Sequence, residues 1–209
     1  MTDGHSVCGP RTSRRRAAIT VATGLLPAGV LVGGLWAWLA PPLHGVVALT
    51  QKGERLHDYL GNESDHFFVA AFLMLGLLNV VAAVAAVLAW QWRPHRGPGM
   101  VAGLCTGMAA AAAAAAGVGV LLAHLRYGAV NLAAVPVSHD HPVYYFTEAP
   151  PVFFGASGLQ IACTLLLPAA AAALVYAVPA AATARDDLGG YPVVDTVYPQ
   201  TDIAPSAPS

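Results

Sequence analysis

Residues 67–92 read FFVAAFLMLGLLNVVAAVAAVLAWQW and contain no Asp, Glu, Lys or Arg. The basic turn Arg93-Pro94-His95-Arg96-Gly97-Pro98-Gly99 follows, then a second uncharged run over 100–123, MVAGLCTGMAAAAAAAAGVGVLLA. About 20 consecutive apolar residues suffice for a helix to cross the hydrocarbon core of a bilayer. Two such runs joined by seven residues predict a pair of membrane-spanning helices folded back on each other. Further out, residues 17–40 are uncharged between Arg16 and the Pro41-Pro42 pair, and residues 152–184 are uncharged between Glu148 and Arg185. Helices over about 17–40, 67–92, 100–123 and 152–184 make an all-α integral membrane fold, a small four-helix bundle with two short polar extracytoplasmic loops.

Composition supports this class. Of the 209 residues, 56% are hydrophobic and 10% charged, and the mean hydropathy is +0.59. A soluble domain carries roughly 25% charged residues to wet its surface. Disorder of the whole chain is excluded, because disorder needs low hydrophobicity and high charge. The net charge of −1 leaves no basic face for nucleic acid. Arg14, Arg15 and Arg16 could head a secretory signal, but the run behind them exceeds a signal's 7–15 apolar residues. Trp38 and Pro41 also make a poor cleavage site around Ala40, so a retained first helix is expected.

Basic residues concentrate in cytoplasmic loops. Seven of the ten Lys and Arg (Arg11, Arg14, Arg15, Arg16, Arg93, Arg96 and Arg185) fall on one side of the predicted topology. Lys52, Arg55 and Arg126 fall on the other. The sequence therefore predicts a bacterial plasma-membrane protein, multi-pass, with both termini cytoplasmic. Residues 1–16 form a basic N-terminal segment and 17–184 the four-span domain. Residues 185–209 are expected to form a disordered, Pro-rich cytoplasmic tail.

Helices in lipid associate through small residues that let backbones approach. Gly29 and Gly33 mark such a face on the first helix, and Gly103 and Gly107 on the third, which is expected to be central. Pro27 and Pro168 are expected to be tolerated within their spans. Asn79 and Gln160 are the amides at membrane depth, joined by the hydroxyl of Thr106. Each needs a partner, and an interhelical hydrogen bond is expected. No ionisable residue lies mid-span, which argues against an ion-coupled transporter. The three cysteines, Cys8, Cys105 and Cys163, avoid the outward loops, so no disulfide is expected.

Titratable groups gather on the outward side. His44, His57, His66, His124, His139 and His141 are six of the eight histidines. In the first loop, Glu54–Leu60 is expected to make two helical turns, with Asn62 or Ser64 capping the second span. In the second, Ser138-His139-Asp140-His141-Pro142 places two imidazoles close together. With His57, His66, Asp58 or Glu148 they could complete a divalent-metal site of the histidine and carboxylate kind. Asp58 and Glu148 could also act as an acid–base pair if the loops meet. No GxSxG, HExxH or CxxC is present. Aromatic residues from Tyr144 to Phe154 are expected to place the segment before the fourth helix at the outer interface.

The strings Gly53-Glu-Arg-Leu-His-Asp-Tyr-Leu-Gly, Glu63-Ser-Asp-His-Phe-Phe, Trp90-Gln-Trp-Arg-Pro-His-Arg-Gly-Pro-Gly and Thr147-Glu-Ala-Pro-Pro-Val-Phe-Phe-Gly resemble a small actinobacterial, largely mycobacterial, membrane family of unknown function (DUF2567-like). The resemblance spans about residues 15–182. It implies a multi-span membrane protein and carries no activity, substrate or catalytic residue.

The sequence thus favours a non-catalytic membrane protein, an accessory or interaction subunit of cell-envelope machinery. Its expected partners are the lipid bilayer and either a membrane protein or further copies of itself. No cofactor is expected on that reading. The alternative is an extracytoplasmic metal- or headgroup-binding site, catalytic or not, in the His- and acid-rich loops, with a metal ion as cofactor. A third reading is a small transporter or channel subunit.

Overall fold

The computed structural model describes residues 13–50, 52–128, 135–138, 141–184 and 188. Among them are four helices long and apolar enough to cross a membrane: α1 Arg14–Leu39, α2 His66–Gln91, α3 Pro98–Tyr127 and α4 Gly158–Ala181. Most of the expected N-terminal segment, 1–16, lies outside the described residues, as does the expected tail, 185–209, apart from Leu188.

The helix ends follow local chemistry. The Ser13 side chain accepts from the Arg16 backbone N–H and starts α1. Gly128, at φ 73°, ends α3 where a residue with a Cβ would be strained. The helix expected from residue 152 starts only at Gly158. Behind Pro150 and Pro151, which disfavour helix in the residues before them, the chain bends irregularly over 152–157. Ser157 then forms a capping box with Gln160, which fixes the first turn.

The two loops expected to face outward are not separate loops, and the all-α class needs correcting. Strands β1 Leu43–Leu49, β2 Arg55–Tyr59 and β3 Val143–Glu148 form a three-stranded antiparallel sheet in the order β2-β1-β3. The segment 54–60, expected as helix, is strand over Arg55–Tyr59. Its backbone pairs with β1 through a tight turn in which Thr50 N–H bonds Glu54 O, with Gly53 at φ 79°. The third strand, VYYFTE, is rich in β-branched and aromatic residues and pairs Glu148 with Leu43 and Phe146 with Gly45.

The sheet caps one end of the bundle, here called the sheet end. A short 3-10 turn, Glu63–Asp65, leads from the sheet into α2. The opposite end carries the basic turn. There Arg96 lies over the Trp90 ring at 4.0 Å and donates to the carbonyls of Trp90 and Leu188. Gly97 N–H donates to the Tyr176 hydroxyl.

Helices α1 and α3 meet backbone to backbone. A Cβ on Gly33 would lie 2.5 Å from the Ala115 carbonyl oxygen, and one on Gly103 would lie 2.9 Å from the Ala18 Cα. Gly29 faces Ala111 and Gly107 faces Ala22 in the same way. Such spacing brings dispersion contacts to the closest range that backbones allow. Trp36 is fully buried beside Gly119, and its indole N–H donates to the Ala70 carbonyl of α2 at 2.7 Å. Met74, Leu78, Leu104 and Met108 complete the interior.

The outside of the bundle is also apolar: Leu31, Leu159 and Leu174 are 74%, 77% and 68% exposed. A contiguous apolar coat of this kind suits hydrocarbon and would be unfavourable in water.

Candidate functional site

The side-chain period of two divides the sheet residues between two faces. Leu43, Gly45 and Val47 face the bundle, and Phe146 lies across Gly45. A Cβ on Gly45 would come within 2.7 Å of the Phe146 ring carbon Cε1, so only glycine gives the ring this seat. His57, at the rim, stacks on Phe146 with ring centres 5.3 Å apart. Tyr59 packs edge-on against His57 and Phe67. Its hydroxyl donates to Glu148 Oε2 at 3.1 Å, tying β2 to β3 across β1. Burial, then the Glu148 charge and hydrogen bond, push the Tyr59 phenol up to about 12.

The candidate metal ligands are distributed over this architecture. Asp58 follows His57 in β2 and therefore points to the opposite face, where its Oδ1 accepts from the Tyr59 N–H at 2.8 Å. Glu148 is engaged by Tyr59. His66 Nδ1 lies 3.0 Å from the Pro42 carbonyl oxygen and fastens the start of α2 to the start of the sheet. The His141 N–H donates to the Ser138 backbone and hydroxyl oxygens. His139 and Asp140 lie outside the described residues. Among the described residues, no three His, Cys, Asp or Glu side chains form a group able to hold a metal ion.

One contact between titratable side chains had no signal in the sequence. Glu63 accepts from the His44 backbone N–H, and His44 Nδ1 lies 2.8 Å from Glu63 Oε2. Nineteen residues separate the two, so no local spacing announces them.

The intramembrane polar groups are satisfied on their own helices. Asn79 Nδ2 donates to the Leu75 carbonyl at 2.8 Å, and the Thr106 hydroxyl to the Ala102 carbonyl at 2.8 Å. Gln160 is spent on the α4 cap and sits in its first turn rather than at depth.

Three cavities adjoin one another at the sheet end. The first, of about 320 Å³, lies between the C-terminus of α3 and the chain after β3, and His124 and Glu148 line it. The second, of about 660 Å³, is walled by Phe67, Phe68, Phe153 and Phe154, and shares Pro151 and Val152 with the first. The third, of about 270 Å³, continues from Phe154 between α2 and α4 past Leu75 and Cys163 to Leu167. The aromatic run before α4 foreshadowed the second cavity. The polar first cavity needs a contact between α3 and β3 that no motif encodes.

A family model described as a protein of unknown function (DUF2567) matches residues 25–190. An uncharacterised protein of Mycobacterium tuberculosis (strain H37Rv) is 64% identical over 173 residues, covering 82% of this chain and 90% of the relative. The same identity and coverage hold for an uncharacterised protein of Mycobacterium bovis. An uncharacterised Mycobacterium leprae protein is 62% identical over 177 residues, covering 85% of this chain and 89% of its own length. No solved structure matches. The matched region takes in the sheet and most of the bundle, and on that match the chain belongs to the DUF2567 family, a mycobacterial family of unknown function.

Proposed function

We propose that this protein is a non-catalytic, four-span plasma-membrane protein whose sheet is a docking platform for a partner in the cell envelope. The sheet would face outward and both termini the cytoplasm, as the bias of Arg toward the opposite end favours. The observation that carries this reading is the solvent face of the sheet. Leu56, Val143 and Tyr145 are 58%, 46% and 68% exposed there, in register across Val46 and Ala48 of β1. An apolar patch held rigidly above a bundle is a surface for a protein to cover. The titratable groups around it are occupied in structural contacts: Tyr59 with Glu148, His44 with Glu63, and His66 with the backbone.

The test is site-specific photo-crosslinking in native membranes from positions 56 and 145, with position 84 on the outside of α2 as control. One and the same protein should be captured from both sheet positions and not from position 84. Its capture at 145 should be lost on Leu56→Asp. The reading fails if neither sheet position yields a protein adduct. It also fails if the purified chain alone turns over a lipid or moves a solute across liposomes.

A further inference from the structure

The three cavities at the sheet end differ in chemistry along one path. The first is lined by Glu148 and by the C-terminal turn of α3, including His124 and Gly128. Helix C-termini carry partial negative charge from unpaired carbonyls, so this end favours a cation. Among the described residues, Tyr59 is the one hydrogen-bond donor to the Glu148 side chain, and it engages Oε2. Among the described residues, no Lys or Arg lines any of the three cavities. The second and third cavities are apolar: the second lies between the start of α2 and the segment before α4, and the third continues between α2 and α4.

Length identifies the occupant. From Leu159 to Leu167 the groove follows α4 for eight residues, about 12 Å at 1.5 Å per residue. That is most of the ~15 Å of hydrocarbon in one leaflet. An apolar groove nearly one leaflet long, beginning beneath an acidic pocket, has the shape and charge order of a lipid standing in the sheet-side leaflet.

We propose that the three cavities are one site for a single membrane lipid whose headgroup carries an amine, the amine against Glu148 and one acyl chain between α2 and α4. His124, on the same polar cavity, is placed to meet the headgroup phosphate. The inference rests on the bilayer-spanning reading and is independent of the sheet's docking role.

The test uses the full chain in nanodiscs of equal phosphatidylethanolamine and phosphatidylglycerol, followed by native mass spectrometry of the released protein. The wild type should retain one phosphatidylethanolamine at least fivefold over phosphatidylglycerol. Replacing it with N-acetylated phosphatidylethanolamine, which keeps the phosphate and loses the cation, should remove the preference without altering the protein. Glu148→Gln, which can still accept the Tyr59 hydrogen bond, should retain a lipid but choose headgroups equally. Cys163→Trp, which fills the groove, should lose lipid of either kind. The proposal is overturned if the inserted wild type retains no lipid, or if it holds the amine, N-acetylated and glycerol lipids alike. A chain that does not insert at all would instead overturn the bilayer reading.

Discussion

Gly29→Ala adds one methyl group at the closest point between α1 and α3. The new Cβ would stand 2.8 Å from both the Cα and the carbonyl carbon of Ala111, and closer to its oxygen. Ordinary van der Waals contact begins at 3.4 Å, so the backbones must part by at least about 0.6 Å. A gap of ~0.5–1 Å forfeits a quarter to a half of each pairwise attraction along the seam. Overpacking of this kind costs ~1–3 kcal/mol. Alanine's better helix propensity returns up to about 1 kcal/mol. The variant should therefore be less stable by about 1–2 kcal/mol. The assay is unfolding in mixed micelles by titration with a denaturing detergent, followed by far-ultraviolet circular dichroism. Gly34→Ala is the control on the same helix, because nothing lies within 4 Å of its Cβ position. It should be neutral or more stable. The reasoning is refuted if Gly29→Ala unfolds with or after the wild type. It is also refuted if Ala111→Gly rescues it, because the clash is with Ala111 backbone that a glycine would retain.

Three further outcomes are expected. Trp36→Phe removes the indole donor to Ala70 and leaves a void in the interior, lowering stability in the same assay by about 2 kcal/mol. Ser157→Ala removes the α4 cap, costs about 1 kcal/mol, and should speed amide exchange in the first turn of α4 while α2 is unaffected. For Tyr59, the folded-state value of about 12 lies above the ordinary phenol value of 10.0, so its contribution is complete below the ordinary value and is lost as pH rises toward the higher one. Ultraviolet absorbance titration should show one late-ionising phenol that Tyr59→Phe abolishes; its persistence in that variant would contradict the assignment.

The bundle was legible because its signal is local and redundant. Four uncharged runs longer than a bilayer requires leave little freedom in reading α1 to α4, and the glycines four apart on α1 and α3 sit where those backbones touch. The sheet was not legible for the opposite reason. Arg55-Leu56-His57-Asp58-Tyr59 fits a short helix or a strand equally well, and what decides is β1 beside it and β3 about a hundred residues away. The candidate ligands suffered accordingly: read as helix or loop, His57 and Asp58 could converge, whereas a strand sends them to opposite faces. The late start of α4 had a readable signal in Ser157-Gly158-Leu159-Gln160, a capping box whose glutamine belongs to the helix end.

The pairing of β1 with β3 also sets an order of assembly. Leu43 and Glu148 are partners, yet the whole α2–α3 hairpin lies between them in the chain. During synthesis β1 and β2 emerge first, as a two-stranded hairpin that is marginal alone. The third strand reaches them only after α2 and α3 have both been made. Until then the inner edge of β1 is an open template for any extended chain nearby. The interval between completing α1 and completing β3 is therefore the vulnerable stage of biogenesis. A pause in translation there would prolong the life of the unpaired edge, and a chaperone serving this protein would act on that edge rather than on the helices.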